Sequence, residues 1–206
     1  MLEKKYPVVE VDLKKLRKNI NEIVRRCKEK GINVAGVVKG FNGISQTLKI
    51  YEESECSYIA SSRLEHLENA RELGLKGPFL AIRIPMQSEI PDLVRLADIS
   101  LNSELSVIKA IDKESGRQKK RHGIILMADL GDLREGFWDK AEMLNAAVYI
   151  EKELKNVYLS GIGTNLGCYG SINATPDKMK ELIAIAEAIE ESIGRRLDII
   201  SGGGTT

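Results

Sequence analysis

Short apolar runs rich in Val, Ile and Leu recur along the chain, separated by longer stretches with helical spacing. A strand covered by helices on both faces needs side chains that are apolar throughout, so such runs predict buried parallel strands. They fall at 33–38 (NVAGVV), 57–61 (SYIAS), 79–84 (FLAIRI), 98–102 (DISLN), 123–129 (GIILMAD), 157–163 (VYLSGIG) and 197–201 (LDIIS). An earlier run, Val8 to Val11, predicts an additional edge segment. Ahead of the first strand, Leu13, Leu16, Ile20, Ile23 and Val24 share one helical face, with Asp12 placed as N-cap and Gly31 as a stop. Cys27 continues that face and reads as a packed thiol. Leu64, Leu67 and Ala70 repeat the pattern before Gly74, and Leu182, Ile185, Ala186, Ile189 and Ile193 do so before Gly194.

Strands alternating with helices predict a parallel sheet with covered faces. Units of roughly 20 to 35 residues suit either a doubly wound open sheet or a (β/α)8 barrel of the TIM type, and periodicity does not separate the two. No Pro/Gly/Ser linker interrupts the pattern, so residues 1–206 read as one domain.

Composition narrows the function classes. The 31 basic and 30 acidic residues leave a net charge of +1, which speaks against a nucleic-acid or membrane-surface binder. The basic run Lys119, Lys120 and Arg121 reads as a solvated face. The three cysteines, Cys27, Cys56 and Cys168, form no C-x-x-C pair and fit a reducing cytoplasm. No apolar run approaches the roughly 20 residues that span a bilayer, and the charged start MLEKKYPVVEVD lacks the core of a signal peptide.

In both candidate architectures chemistry sits at the carboxyl ends of the strands. The first strand ends in Val37-Val38-Lys39-Gly40-Phe41-Asn42-Gly43. A lysine there either emerges into water or serves chemistry; burial of such an amine lowers its pKa, as a Schiff-base lysine requires. The fifth run leads into Asp129, Asp132, Arg134 and Glu135, which suit a metal, an ion-pair network or an anionic ligand group. The sixth leads into the glycine-rich loop Thr164-Asn165-Leu166-Gly167-Cys168-Tyr169-Gly170, where Cys168 and Tyr169 are either reactive or packing residues. After the seventh comes Ser201-Gly202-Gly203-Gly204-Thr205-Thr206, whose exposed N–H groups suit a phosphate. A Walker A loop is excluded because no Gly-Lys-Ser/Thr follows, and the dinucleotide fingerprint is absent. His66 and His122 do not pair at ligand spacing, so zinc has no support, and no nucleophile elbow marks a Ser–His–Asp triad. Trp138 reads as a packing residue.

Taken in order, Val-Ala-Gly-Val-Val-Lys39-Gly-Phe-Asn-Gly, Asp129-Leu-Gly-Asp-Leu-Arg134-Glu-Gly, Gly161-Ile-Gly-Thr-Asn165-Leu-Gly-Cys-Tyr-Gly and Ser201-Gly-Gly-Gly-Thr-Thr resemble the alanine-racemase-like N-terminal barrel family, most closely its ornithine racemase branch. The resemblance implies a barrel that binds pyridoxal 5′-phosphate (PLP). Lys39 would hold the cofactor covalently and act as one racemisation base. Arg134 matches the arginine near the cofactor's phenolic oxygen. Asn165 stands where alanine racemases carry a histidine beneath the pyridine ring. Ser201, Gly203, Gly204 and Thr205 match the phosphate-binding turn. The loop after the lysine departs from the family: Gly40, Phe41 and Asn42 leave one tyrosine contact to phosphate without a counterpart.

Family members run well past Thr206, adding an eighth strand with an arginine facing the pyridine nitrogen and a β domain with a catalytic tyrosine. The expectation is therefore an incomplete barrel of about seven strands, either a fragment or one completed by a partner chain, with a homodimer as one form. The implied activity is racemisation of an amino acid, a basic one such as ornithine by the branch likeness. Glu135 or Asp132 would pair with its distal ammonium, and Cys168 or Tyr169 would be the second base. The rival reading is a PLP carrier of the homeostasis kind that binds through the same lysine without turnover. A third, an open-sheet nucleotide enzyme, lacks its fingerprint.

Overall fold

The computed structural model describes residues 7–168 and 172–202. The order of elements is α1 (Leu13–Lys28), β1 (Ala35–Val37), α2 (Ser45–Glu52), β2 (Tyr58–Ser61), α3 (Leu64–Glu72), β3 (Phe79–Ala81), α4 (Ile90–Leu96), β4 (Ile99–Asn102), α5 (Leu105–Gln118), β5 (His122–Met127), α6 (Lys140–Glu153), β6 (Val157–Gly163), α7 (Pro176–Ile193) and β7 (Ile199–Ser201). All seven strands pair in parallel, and their order in the sheet is their order in the chain. A doubly wound sheet reverses its strand order at a switch point. This sheet does not, and it curls into an open part-barrel with helices outside.

Two apolar layers follow from the period-2 alternation of the strands. Ile124 and Leu126 of β5 join Leu159 and Ile162 of β6 in the main core, together with Ile108, Ile111, Met143 and Ile150 from the helices. Ile125 and Met127 point the other way, into a smaller core with Ala60, Leu80 and Ile99 on the concave side. Each fully buried side chain of this size contributes about 1.5–3 kcal/mol. The β5–β6 register slips by one residue: Ile124 faces Leu159 but Ile125 faces Gly161, so Ser160 is bulged out. A Cβ on Gly161 would lie 1.9 Å from the Ile199 carbonyl oxygen, so only glycine lets β6 and β7 approach this closely.

Helix ends behave as the sequence indicates. Asp12 Oδ1 accepts from the N–H groups of Lys14 (3.0 Å) and Lys15 (3.1 Å) at the start of α1. Gly194 ends α7 at φ +73°. Three expectations fail. Residues 8–11 form no strand, and Val9 is 93% exposed, because none of the strands among the described residues pairs with them. The predicted α1 face is also narrower: Ile20 and Val24 are buried, whereas Ile23 is 55% exposed and Cys27 only half-buried. That helix packs on a small cluster with Ile50, Val34 and Tyr51 at the β1 flank, not on the main core. His122, expected before the strand, is instead the first residue of β5 and buried. Among the described residues no helix is long and apolar enough to cross a membrane.

Candidate functional site

A cavity of about 660 Å³ runs along the concave side of the curled sheet. Its walls between the strand ends are apolar, with Leu80, Leu101, Ile125 and Met127 among them. At the carboxyl ends it is lined by Lys39, Arg134, Glu135, Thr164, Asn165, Cys168 and Ser201. The fold thus brings six of the residues singled out by the sequence, Lys39, Arg134, Glu135, Asn165, Cys168 and Ser201, to one opening. Gly203, Gly204, Thr205 and Tyr169 lie outside the described residues. A groove of about 800 Å³ on the outer surface between α1 and α2 holds no strand-end group.

Each part of the opening has a local cause. Beyond β1, Val38 is fully buried, and Lys39–Phe41 form one turn of 3-10 helix. The turn closes on itself: Asn42 N–H donates to Lys39 O (3.1 Å), and Gly43 N–H donates to Val38 O (3.1 Å). Asn42 and Gly43 both sit at positive φ, +56° and +58°. Lys39 itself is exposed and lines the cavity mouth.

The β5–α6 connection doubles back on its own strand. Phe137 N–H donates to Met127 O (2.7 Å) and Asp129 N–H to Phe137 O (3.0 Å), which closes residues 130–136 into a loop. Asp129 Oδ1 fastens that loop from within by accepting from Gly131 N–H (2.8 Å) and Leu133 N–H (3.1 Å). Asp132 is buried, and its Oδ1 accepts from Gly167 N–H (3.3 Å) in the next strand-end loop. These two carboxylates hold the backbone in place, and among the described residues no group of His, Cys, Asp and Glu could hold a metal ion. Arg134 and Glu135 stand at the tip, facing the cavity.

The loop after β6 is tied on both sides. Thr164 Oγ1 donates to Ala128 O (2.9 Å), and Thr164 N–H donates to Ser201 O (2.9 Å). Asn165 Nδ2 donates to Glu135 Oε1 (2.8 Å), which fixes the amide of one strand-end loop against the carboxylate of another. Sequence order gave no sign of this pair, since thirty positions separate its members. The sequence also left His66 unassigned; its imidazole stands behind the Lys39 turn, 3.1 Å from Asn42 Oδ1.

Residues 11–206 match the model of the alanine racemase N-terminal domain. Ornithine racemase of Acetoanaerobium sticklandii is 37% identical over 201 residues, which is 98% of this chain and 56% of that protein. Lysine racemase of Thermotoga maritima is 33% identical over 200 residues, covering 97% of this chain and 55% of that protein. Among solved structures, alanine racemase from Streptomyces lavendulae has the same fold at a TM-score of 0.77 and 17% identity, covering 93% of this chain and 51% of that one. The chain spans about half the length of the curated relatives it matches.

Proposed function

Starting from the chain's membership of the alanine racemase N-terminal domain family, we propose that it is the cofactor-binding barrel of a PLP-dependent racemase of basic amino acids. The observation behind this is the convergence of Lys39, Arg134, Asn165 and Ser201 on one cavity at the carboxyl ends of parallel strands. The donor set suits PLP. An exposed amine meets its aldehyde, a guanidinium suits an oxyanion on the ring, and the Ser201 hydroxyl suits phosphate. The walls formed by Leu101, Ile125 and Met127 suit the apolar ring faces. When bound, PLP supplies an electron sink for the charge left at the substrate's Cα after deprotonation.

The chain's own residues divide the remaining work. Lys39 Nζ would hold the cofactor and, once displaced by the substrate's amine, would exchange the proton at Cα. Asn165, pinned by Glu135, would present a fixed amide to the cofactor. Cys168 lines the same opening and is exposed, which makes its thiol the second-base candidate within the described residues. Glu135 is the carboxylate suited to a distal ammonium, because Oε1 is engaged by Asn165 while the residue still borders the cavity. Asp132 is buried in loop contacts and does not border it. The identities to ornithine and lysine racemases support a basic substrate.

The test is to incubate the protein with PLP, reduce with borohydride and map the adduct by mass spectrometry. Deuterium exchange at Cα of ornithine, lysine and alanine then follows in D2O. The adduct is expected on Lys39 and absent from Lys39→Ala, with exchange fastest for the basic amino acids. An adduct on other lysines, or none, sinks the proposal; an adduct on Lys39 with no exchange in any amino acid favours the carrier reading instead.

A further inference from the structure

We propose that His66, which no motif points to, is a positioning residue for Lys39, acting through the side chain of Asn42. The inference rests on the reading of Lys39 as the cofactor lysine. His66 lies on α3, is 5% exposed, and makes two side-chain hydrogen bonds. Its Nδ1 is 2.9 Å from Ser61 Oγ at the end of β2, and its Nε2 is 3.1 Å from Asn42 Oδ1.

The donors and acceptors in this chain have one consistent arrangement. An amide oxygen only accepts, so Nε2 carries the proton and Nδ1 is left as an acceptor. Ser61 must then donate to Nδ1, and its oxygen is free to accept from Arg63 N–H at 3.1 Å. The imidazole is neutral in this arrangement, and burial together with the nearby Arg63 charge lowers its pKa, which keeps it so. A rigid strand end thereby fixes the ring, and the ring fixes Asn42.

Asn42 is the link to the lysine. Its backbone N–H closes the turn on Lys39 O, and its φ of +56° is a conformation that Asn tolerates better than most residues. The imidazole also packs against Gly43: a Cβ there would come within 2.8 Å of His66 Cγ. One helical turn further on, Asn69 Nδ2 donates to Gly43 O at 2.8 Å. Helix α3 therefore grips both residues that shape the turn, and the direction in which Lys39 leaves β1 follows from that grip. Held in this way the backbone from which the Lys39 side chain springs is ordered before the cofactor arrives, so binding does not bear the entropy of ordering the turn.

The experiment compares wild type with His66→Ala, Asn42→Gly and Asn42→Asp. Asn42→Gly keeps the positive φ but removes the acceptor; Asn42→Asp keeps both. Without PLP, amide hydrogen exchange at residues 40–43 is expected to accelerate about tenfold in His66→Ala and Asn42→Gly, the factor for one lost hydrogen bond. Exchange in β5 should not change. PLP affinity, read from the absorption band that depends on Lys39, should weaken about tenfold in the same two variants. Asn42→Asp should retain wild-type values. Should His66→Ala fail to fold, the exposed Asn42 site still decides the matter. Wild-type exchange and affinity in Asn42→Gly would overturn the inference. Absence of the PLP band from wild type itself would instead overturn the cofactor reading, leaving the exchange data to judge the clamp.

Discussion

Replacing His122 by Gln should flatten the acid side of the stability profile by an amount the structure specifies. His122 is 1% exposed at the start of β5, with Nε2 2.8 Å from Ser100 Oγ. Burial pushes its imidazole down from 6.5 to about 4, and the opposing pull of Asp98 and the Ala97 backbone does not reverse this. An unfolded chain binds a proton at the ordinary value, so between pH 6.5 and about 4 the unfolded state holds a proton that the folded state does not. The contribution is therefore fully present above pH 6.5 and is lost as the pH falls through about 4. At about 1.4 kcal/mol per pKa unit, the loss approaches about 3 kcal/mol by pH 4. Gln keeps a polar end toward Ser100 and does not titrate. Urea unfolding of both proteins near neutrality and at about pH 4 measures the difference. Glu22 and Glu114, each held down to about 2 by hydrogen bonds from arginine partners, are common to both proteins and cancel. Equal acid sensitivity in wild type and His122→Gln would refute the reasoning.

Two further outcomes are expected. Glu135→Gln should lower kcat/KM for ornithine by about tenfold or more while sparing an uncharged substrate, because it removes the charge but keeps the bond to Asn165; steady-state kinetics on both substrates checks it, and an equal loss on the two would count against the ammonium contact. Gly161→Ala should cost about 3 kcal/mol or more in urea unfolding, since its Cβ meets the Ile199 carbonyl at 1.9 Å, whereas Gly163→Ala, with its nearest atom at 3.1 Å, should cost less.

The seven strands were legible because each is a short run of apolar residues between turn signals, a pattern that depends only on neighbours in sequence. Their ends were less so: the run at 79–84 extends three residues past β3, since Ile82 and Ile84 remain apolar after pairing has stopped at Ala81. The run at Val8 to Val11 was misread because β-branched composition does not reveal whether a partner strand is present. Barrel or doubly wound sheet turns on strand order, which the apolar pattern does not encode. Lys39, Arg134, Asn165 and Ser201 could be named because all four stand at or beyond strand ends and fall in the segments that carry the family resemblance. The role of Asp129 as a loop fastener, the Glu135–Asn165 pair and the His66 clamp could not, since each depends on how loops fold back or on contacts between distant segments.

Strand order that follows chain order has a consequence for biogenesis. Each strand–helix unit finds its docking edge on the unit made just before it, so a polypeptide leaving the ribosome can assemble from its amino end without waiting for distant partners. The lysine-bearing turn and the helix that grips it belong to the earliest units, and they can take shape during translation well before the Ser201 side of the cavity is synthesised.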